Sequence, residues 1–244
     1  MFSERNKCFQ LFRINPIGLT SAIALHNFTV ILLNRWVPDN LALVVLCSIV
    51  NKAYRFLLRA LMSQQTYLKV PFVWEEPKPR IEVSTRLTFE PAKAICDNPL
   101  ISVVARVMTS SSDANDRRLV AEHDPDKAAE CLLNSSKDGF SYQDEWWQFG
   151  INEKGDIVGF VLPVTYTGCA KESLEEGTIY YIGVVPEYRG LGFANDLLSK
   201  GTRTLQEVGV WRVFCDTAVN NAPMISAFNR VGYRQYSEPW ERPL

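Results

Sequence analysis

The sequence predicts an α/β (α+β) domain in which helices flank a central sheet, and three patterns lead to this prediction. Residues 178–185 are rich in β-branched and aromatic side chains and run into a helical apolar pattern over 195–208. A second strand pattern, over 211–217, runs into a second helical pattern over 221–233. Earlier in the chain, two apolar runs flank 152–156, where a glycine suits the positive φ of a tight turn and predicts a β-hairpin.

The elements around this hairpin follow from apolar spacing. Residues 80–89 alternate loosely between polar and apolar side chains and predict the first strand. Residues 98–110 predict a helix, and an Asp-Pro step opens a second predicted helix over 124–133. The strands of the hairpin are predicted at 146–151 and 157–162. The predicted order is therefore strand, two helices, hairpin, two strand–helix units and a last strand.

The loop between the strand at 178–185 and its helix predicts a site for a pyrophosphate. The start of a helix leaves N–H groups without intrahelical acceptors and carries the positive end of the helix dipole, so it favours an anion. Glycines in the loop let a ligand approach the backbone closely, and an arginine adds a guanidinium to the same anion. The predicted cofactor-binding residues of this loop are Arg189, Gly190, Leu191, Gly192, Phe193 and Ala194.

The helix at 221–233 has recognisable ends. Asn221 suits the N-cap position, Pro223 suits the first turn and Gly232 suits a C-terminal stop. These features fix the helix without any functional assumption.

Two motifs in this half of the chain carry a family resemblance. The pattern Arg/Gln-x-x-Gly-x-Gly/Ala is filled by Arg189, Gly192 and Ala194, and an Asn-x-x-Met segment followed by Gly-Tyr begins at Asn221. The sequence closely resembles the GNAT superfamily of acyl-CoA-dependent N-acyltransferases over roughly 80–236. Only the second half of this stretch contains the specific motifs.

The resemblance implies a fold and an activity. It implies the GNAT fold, with a mixed, mostly antiparallel central sheet, and transfer of an acetyl group from acetyl-CoA to a primary amine of a small molecule or peptide. In the family, the first motif binds the phosphates and the motif asparagine, here Asn221, bonds the pantetheine arm. The main chain of Val184 and Val185 is then expected to meet the pantetheine, and an N–H near Ile182 the acetyl oxygen.

The general acid does not follow from the resemblance. Many members have a tyrosine seven residues after the motif asparagine, and this position is Phe228, which has no proton to give. Tyr233 or Tyr236 displaced by a few residues, water, or a thiolate that leaves unaided remain alternatives. Each tyrosine equally suits a packing role.

The general base is equally open. The strand position at which the family has a glutamate falls on Thr178, so the alternatives are Glu176 just before it or a water held by Tyr180 or Tyr181. These departures keep a second class in view, namely a non-catalytic acyl-CoA-binding sensor or interaction domain.

The acceptor amine is not specified by the sequence. Tyr142, Trp146 and Trp147, next to Asp144 and Glu145, either line a mouth that binds a cationic amine or divide between core and surface.

Composition limits the other partners. The chain has 26 Lys and Arg against 27 Asp and Glu, which argues against a nucleic-acid binder. The six cysteines are scattered singly and there are only two histidines, so neither a disulfide framework nor a zinc site or other metal site is predicted. This pattern favours the reducing cytoplasm.

The N-terminal part of the chain differs from the rest. Residues 1–62 hold seven Lys and Arg against two acids, a net charge of +5, while the whole chain has −1. We therefore predict a basic, apolar, helical extension over 1–69 and the catalytic domain over 70–244. Residues 17–61 either contact a membrane or lie upstream of a true start at Met62.

Overall fold

The structure is a computed structural model that describes residues 66–75, 78–96, 99–135 and 139–243. Within these ranges the strands are β1 Thr66–Glu75, β2 Thr88–Pro91, β3 Phe140–Ser141, β4 Gln148–Ile151, β5 Ile157–Lys171, β6 Leu174–Val184, β7 Val210–Ala218, β8 Arg234–Gln235 and β9 Trp240–Pro243. The helices are α1 Leu100–Thr109, α2 Ala114–Glu122, α3 Pro125–Ser135, α4 Phe193–Val208 and α5 Ala222–Val231.

All of these strands belong to one sheet. Its order is β2-β4-β5-β6-β7-β1-β8, with β3 also paired to β5 and β9 also paired to β1. Every described pair is antiparallel except β6 with β7, which is parallel because α4 crosses between them. The predicted fold class, a mixed and mostly antiparallel sheet flanked by helices, is confirmed.

Helices cover both faces of the sheet, so the domain has two cores. On one face, apolar residues of α4 and α5 pack on β1, β6 and β7, with Leu197, Leu198 and Phe228 almost fully buried. On the other face, α1 and α3 pack on β4, β5 and β6, with Val104 and Phe160 at the centre. The single sheet thus separates two groups of helices.

The start of the sheet differs from the prediction. The first strand is β1, at 66–75, whereas of the predicted strand 80–89 only the end forms β2. The apolar pattern of β1 is interrupted by Lys69 and Pro71, which hid it in the sequence. Ile81, inside the predicted strand, instead has its N–H bound by the side chain of Gln206 on α4.

One helix was missed altogether. The segment that forms α2 is polar and has no clear apolar stripe, but Asp113 caps it by accepting from the N–H groups of Asn115 and Asp116. The cap and the contacts described below hold it in place, so its tertiary surroundings outweigh its composition.

The domain extends toward the N-terminus at least as far as Thr66. Residues 66–69 pair with β9 and so belong to the sheet, although the predicted boundary of the domain lay at Val70. The predicted N-terminal extension, including its helical character and the membrane contact through 17–61, lies outside the described residues. None of the helices in the described ranges combines the length and the apolar character needed to cross a bilayer.

Candidate active site

The centre of the sheet opens between β6 and β7. These strands pair at only three positions, Glu175 with Val210, Glu176 with Arg212 and Gly177 with Val213. Beyond Gly177, β6 continues beside β5 and β7 continues beside β1, so the two halves of the sheet diverge. The open part of β6 therefore begins after Gly177.

The divergence leaves main-chain groups of β6 without a strand partner on that side. The N–H of Val185 donates to the carbonyl of Val158 on β5 at 3.0 Å. Because the N–H groups of an antiparallel strand alternate in direction, those of Ile182 and Val184 point away from β5, into the opening. The N–H groups of Val184 and Ile182 thus face the opening, and their contact with the pantetheine and the acetyl oxygen stays a prediction. The N–H of Val185 faces β5, and its carbonyl accepts from the N–H of Tyr188.

A β-bulge lies at the middle of β6. Tyr181 is paired with Leu162 and Ile179 with Pro163, so one extra residue, Tyr180, lies on β6 between these two pairs. As a consequence the side chains of Tyr180 and Tyr181 both pack on the face of α1 and α3, where regular alternation would separate them.

A cysteine lies at the point where β6 and β7 begin to separate. Cys215 on β7 is buried, and its sulfur accepts from the N–H of Ile179 at 3.5 Å. Burial raises the pKa of this thiol to about 12, so it stays neutral. Its contacts are those of a core residue.

The open stretch of β6 leads to the predicted glycine loop. Gly190 has φ +77° and Gly192 has φ +83°, a region that other residues rarely adopt. Gly192 is the N-cap of α4, and no side chain caps this helix. Among the described residues the N–H groups of Phe193 and Ala194 have no acceptor, as expected for the first turn of a helix.

The space in front of this loop fits a phosphate. A Cβ built on Gly190 meets no atom within 4 Å, and one built on Gly192 meets only side-chain atoms of Arg86 and Asn195 beyond 3.6 Å. The exposed Leu191 lies between the two glycines. Unpaired N–H groups, the helix dipole and open space together suit the phosphates of CoA.

An arginine that the sequence analysis missed lies on this loop. The guanidinium of Arg86 donates to the carbonyl of Leu191 at 3.3 Å and forms an ion pair with Asp196 on α4. It also lies over the ring of Phe193, 4.8 Å from the centroid. About half of the Arg86 side chain is exposed. Because Arg86 precedes the loop by more than a hundred residues, no local pattern could have revealed it.

Arg189 binds main-chain carbonyls in the structure. Its guanidinium donates to the carbonyls of Ser110, Val107 and Val184, at 2.8, 3.3 and 3.1 Å. These bonds tie the C-terminal end of α1 to the end of β6. The contact of Arg189 with a phosphate stays a prediction.

Asn221 is the N-cap of α5, as predicted. Its side-chain oxygen accepts from the N–H of Met224 at 3.4 Å, and its amide donates to Thr217 at 3.0 Å. Gly232 ends the helix with φ +98°. The cap accounts for Asn221 structurally, and its contact with a pantetheine arm stays a prediction.

The tyrosine predicted as a proton donor lies in the core. Tyr233 is 4% exposed, and its hydroxyl is 2.6 Å from that of Thr202 on α4. Its ring packs edge-on against Phe228, which in turn stacks on Phe72. Burial raises the pKa of Tyr233 well above its usual value. This position favours the packing role over the proposed acid.

The carboxylate predicted as a base lies where β6 and β7 still pair. Glu176 is 4% exposed and accepts from Arg212 on β7 at 2.9 Å. Burial raises the pKa of Glu176, and the Arg212 guanidinium opposes that shift. Its ion pair joins the two strands below the opening, on the side away from the glycine loop.

A second set of charges lies on the face of the sheet opposite α4. The hydroxyl of Tyr181 donates to Asp116 on α2 at 2.8 Å. Lys69 on β1 contacts Asp216 on β7 at 2.9 Å and Asp113, just before α2, at 4.0 Å. The start of α2 is thereby bound to both sides of the opening.

The aromatic residues proposed for an amine mouth form a small cluster on the same side of the sheet. Tyr142 and Trp147 stack with centroids 4.3 Å apart, and Trp147 is buried. Asp144 forms an ion pair with Lys93. This arrangement is that of a core edge, and the role of the cluster in acceptor binding stays a prediction.

The sequence of this chain matches a known protein family. Residues 112–233, half of the chain, match the model of the Acetyltransferase (GNAT) family. The matched range includes the start of α2, the diverging strands, the glycine loop and α5.

The individual relatives share little sequence identity with this chain. A mycothiol acetyltransferase from an Arthrobacter species is 29% identical over 86 residues, which cover 35% of this chain and 26% of that protein. A GCN5-related N-acetyltransferase from Sphaerobacter thermophilus has a TM-score of 0.45 at 17% identity, and covers 73% of this chain and 52% of its own. A tandem GNAT protein from the clavulanic acid biosynthesis pathway has a TM-score of 0.47 at 14% identity, over 72% of this chain and 52% of its own. The chain thus spans about a quarter of the mycothiol acetyltransferase and about half of each structure.

Proposed function

The chain belongs to the GNAT family of acetyltransferases, and from this premise we propose that it transfers an acetyl group from acetyl-CoA to the primary amine of a small molecule or a peptide. The amine attacks the thioester directly, without an acyl-enzyme. The observation that carries the proposal is the opening between β6 and β7, because it leads straight to an uncapped helix start with open space before its glycines. An elongated acyl donor with a pyrophosphate fits such a combination.

Different groups of the chain bind the phosphates and the extended arm of the acyl donor. The N–H groups at the start of α4 bind phosphate oxygens, and the half-exposed guanidinium of Arg86 adds positive charge beside them. The N–H groups of Ile182 and Val184 bind the extended arm and the carbonyl oxygen as they would bind a neighbouring strand. These donors are held in place before the substrate arrives, which lowers the cost of orienting it.

The identity of the acceptor amine has less support than the identity of the acyl donor. One relative is named a mycothiol acetyltransferase, but the match covers only a quarter of that protein. We therefore propose the class, a primary amine, and not an individual compound.

A second candidate function rests on the position of Phe228. This residue is 2% exposed, stacks on Phe72 and packs edge-on against Tyr233, so its side chain has no hydroxyl at the place where many relatives have their acid. A domain that binds acetyl-CoA without transferring the acetyl group would also tolerate a phenylalanine there. Amine-dependent release of free CoA distinguishes the two functions.

The test combines binding and turnover on the full-length chain. Titration calorimetry with acetyl-CoA is compared for the wild type, Gly190→Glu and Gly139→Glu. Both glycines have φ +77° and no atom within 4 Å of an added Cβ, so both substitutions cause the same backbone strain. Only Gly190→Glu places negative charge at the loop, and we expect it to weaken binding at least about 10-fold, or about 1.4 kcal/mol.

The outcomes separate the proposals. Binding by the wild type and by Gly139→Glu, together with CoA release that depends on added amine, supports the transferase. Binding without any amine-dependent release supports the second function. Equal binding by Gly190→Glu would show that the loop does not hold the phosphates.

A further inference from the structure

The start of α2 lies across the opening in the sheet. Asp116, in its first turn, accepts from Tyr181 on β6. Asp113, its N-cap, lies 4.0 Å from Lys69 on β1, the strand that pairs with β7. One short segment therefore touches both diverging halves of the sheet, directly over the gap that the proposed acyl donor occupies.

Tyr181 belongs to the open part of β6. It lies between the bulge at Tyr180 and Ile182, whose N–H points into the gap. The bulge places the Tyr181 side chain on the face of the sheet that α2 covers, here called the α2 face. The helix that follows the glycine loop, α4, lies on the opposite face. An amine that approaches the thioester from the α2 face would meet this phenol beside the reacting carbon.

We propose that Tyr181 and Asp116 form a proton relay, in which the attacking amine gives a proton to Tyr181 Oη while the phenol proton passes to Asp116 Oδ2. This proposal rests on the transferase function above and names its general base. Tyr181 touches the substrate and is the catalytic residue. Asp116 acts through it and is the positioning residue that receives the proton.

With this relay, the bonds and protons of the acetyl transfer balance. A bond forms between the amine nitrogen and the carbonyl carbon, and the electron pair of the carbon–oxygen double bond moves to oxygen. Loss of a proton through Tyr181 to Asp116 leaves a neutral amide nitrogen. The double bond re-forms, the carbon–sulfur bond breaks with its electrons on sulfur, and the thiolate regains one proton from water. Asp116 returns its proton to solvent, so no oxidant or other reactant is needed.

The surroundings of Asp116 suit a base at neutral pH. Asp116 is 3% exposed, and the groups that face it are Ser111, Asp113, Tyr181 and Lys69. Burial raises the pKa of Asp116 to about 6 and the Asp113 charge adds to this, whereas Ser111, Tyr181 and Lys69 lower it. The carboxylate is therefore ionised at pH 7.5 but accepts a proton more readily than an exposed aspartate.

Tyr181 itself stays protonated. Burial raises its pKa well above the usual value and Asp116 adds to the shift, whereas Arg189 opposes it. The phenol therefore acts by exchanging one proton for another, without existing as a stable anion. Glu176 is less suited to this role, because it is bound to Arg212 where the strands are still paired.

The experiment compares the wild type with Asp116→Asn, Tyr181→Phe and Glu122→Gln. Benzylamine and spermidine serve as acceptors, and release of free CoA is followed from pH 5 to 9.5. Asn keeps the size of Asp116 and can still accept from Tyr181, so folding should be preserved. Glu122→Gln is the matched control, because this exposed carboxylate lies on the same helix and forms an ion pair with Arg118.

In the wild type we expect kcat/KM to rise with pH in two steps, one from the amine and one near pH 6. Asp116→Asn and Tyr181→Phe should each lower kcat about 100-fold or more and abolish the lower step, while the Kd for acetyl-CoA stays within about 2-fold. The double variant should lose no more than either single variant. Glu122→Gln should keep the wild-type rate and both steps.

The outcomes that contradict the relay differ from those that contradict the transferase. An Asp116→Asn variant that keeps the wild-type rate, or keeps the step near pH 6, overturns the relay and leaves the transferase standing. A loss of rate in both variants with both steps retained shows a structural role and also overturns the relay. A wild type that binds acetyl-CoA but acetylates neither amine overturns the transferase proposal itself.

Discussion

The two sides of the opening in the sheet are built in different ways. On the side of α4, the site consists of main-chain N–H groups, two glycines with positive φ and open space, and Arg86 is the charged side chain that lies over the loop. On the side of α2, the site consists of the buried side chain of Asp116 and the half-buried side chains of Tyr181, Asp113 and Lys69, held by ion pairs and hydrogen bonds.

The difference reflects two chemical tasks. Phosphates carry permanent charge, and a helix start with preset N–H groups can bind them without any titratable side chain. Proton transfer needs groups with pKa values near the working pH, and such values come from burial and from neighbouring charges. A main-chain site depends on local conformation, whereas a site of buried charges depends on contacts between distant parts of the chain.

The largest effect is expected on the α2 side, from loss of Lys69. Burial alone would lower the pKa of Lys69, but Asp216, Tyr67 and Asp113 raise it well above its usual value, so it is a buried cation. Lys69→Met leaves Asp113 and Asp216 without this partner and should lower the free energy of unfolding by about 3 kcal/mol. Urea unfolding at pH 7.5 measures the change.

Lys93→Met is the matched control, because the ion pair of Lys93 with Asp144 is exposed. It should have no measurable effect. If both variants were equally stable, the charges of the α2 side would not be structural and the contrast between the two sides would fail.

The second prediction concerns the pH dependence of stability. The pKa of Asp116 rises from 3.8 to about 6 on folding, so between these values the folded protein binds a proton that the unfolded chain has lost. Stability from this group is therefore present at low pH and falls as pH rises toward 6. Asp116→Asn removes the cost of the buried charge and should stabilise the protein by about 2 kcal/mol at pH 7.5.

At pH 4 most of this difference should disappear, because both side chains are then neutral in the folded protein. Unfolding curves for the wild type and Asp116→Asn at the two pH values give the comparison. A variant less stable than the wild type at pH 7.5 would mean that the carboxylate is stabilised more by its hydrogen bonds than it is penalised by burial.

The third prediction concerns the α4 side. Arg86→Met removes the guanidinium that lies on the carbonyl of Leu191 and beside Asp196. We expect the Kd for acetyl-CoA to rise about 10-fold at low salt and less at high salt, because a half-exposed cation is screened. Calorimetry at two salt concentrations shows this. An unchanged Kd at low salt would mean that the main chain alone holds the phosphates.

The smallest effect is expected for Arg189. Its guanidinium bonds the carbonyls of Val107, Ser110 and Val184, so Arg189→Met should lower the free energy of unfolding by about 1 kcal/mol. The Kd for acetyl-CoA should change less than about 3-fold. A loss of affinity larger than that of Arg86→Met would instead support the phosphate contact predicted from the sequence.

The sequence predicted the α4 side better than the α2 side, and the reason is the range of the interactions. β6, α4, β7 and α5 are specified by apolar spacing, by Gly192 and by the cap at Asn221, all within a few residues of the element they define. The glycine loop was therefore predicted with its neighbours in place.

The contacts of the α2 side join residues that are far apart. Tyr181 and Asp116 are separated by 65 positions, and Lys69 and Asp216 by 147. No periodic pattern marks either pair. α2 was missed because its residues are mostly polar, and β1 because Lys69 interrupts the apolar run and meets its partners Asp216 and Asp113 on other elements.

The bulge at Tyr180 has a consequence for how such a site can arise. Side chains alternate along a strand with a period of two, so a β6 of the same length that paired regularly through Tyr180 would place Tyr181 on the face of Ile179, away from Asp116. The face that carries Tyr181 thus depends on the pairing of the strand and not on the side chain alone. In an evolutionary lineage, a change of pairing within β6 would reassign this face without any substitution at Tyr181.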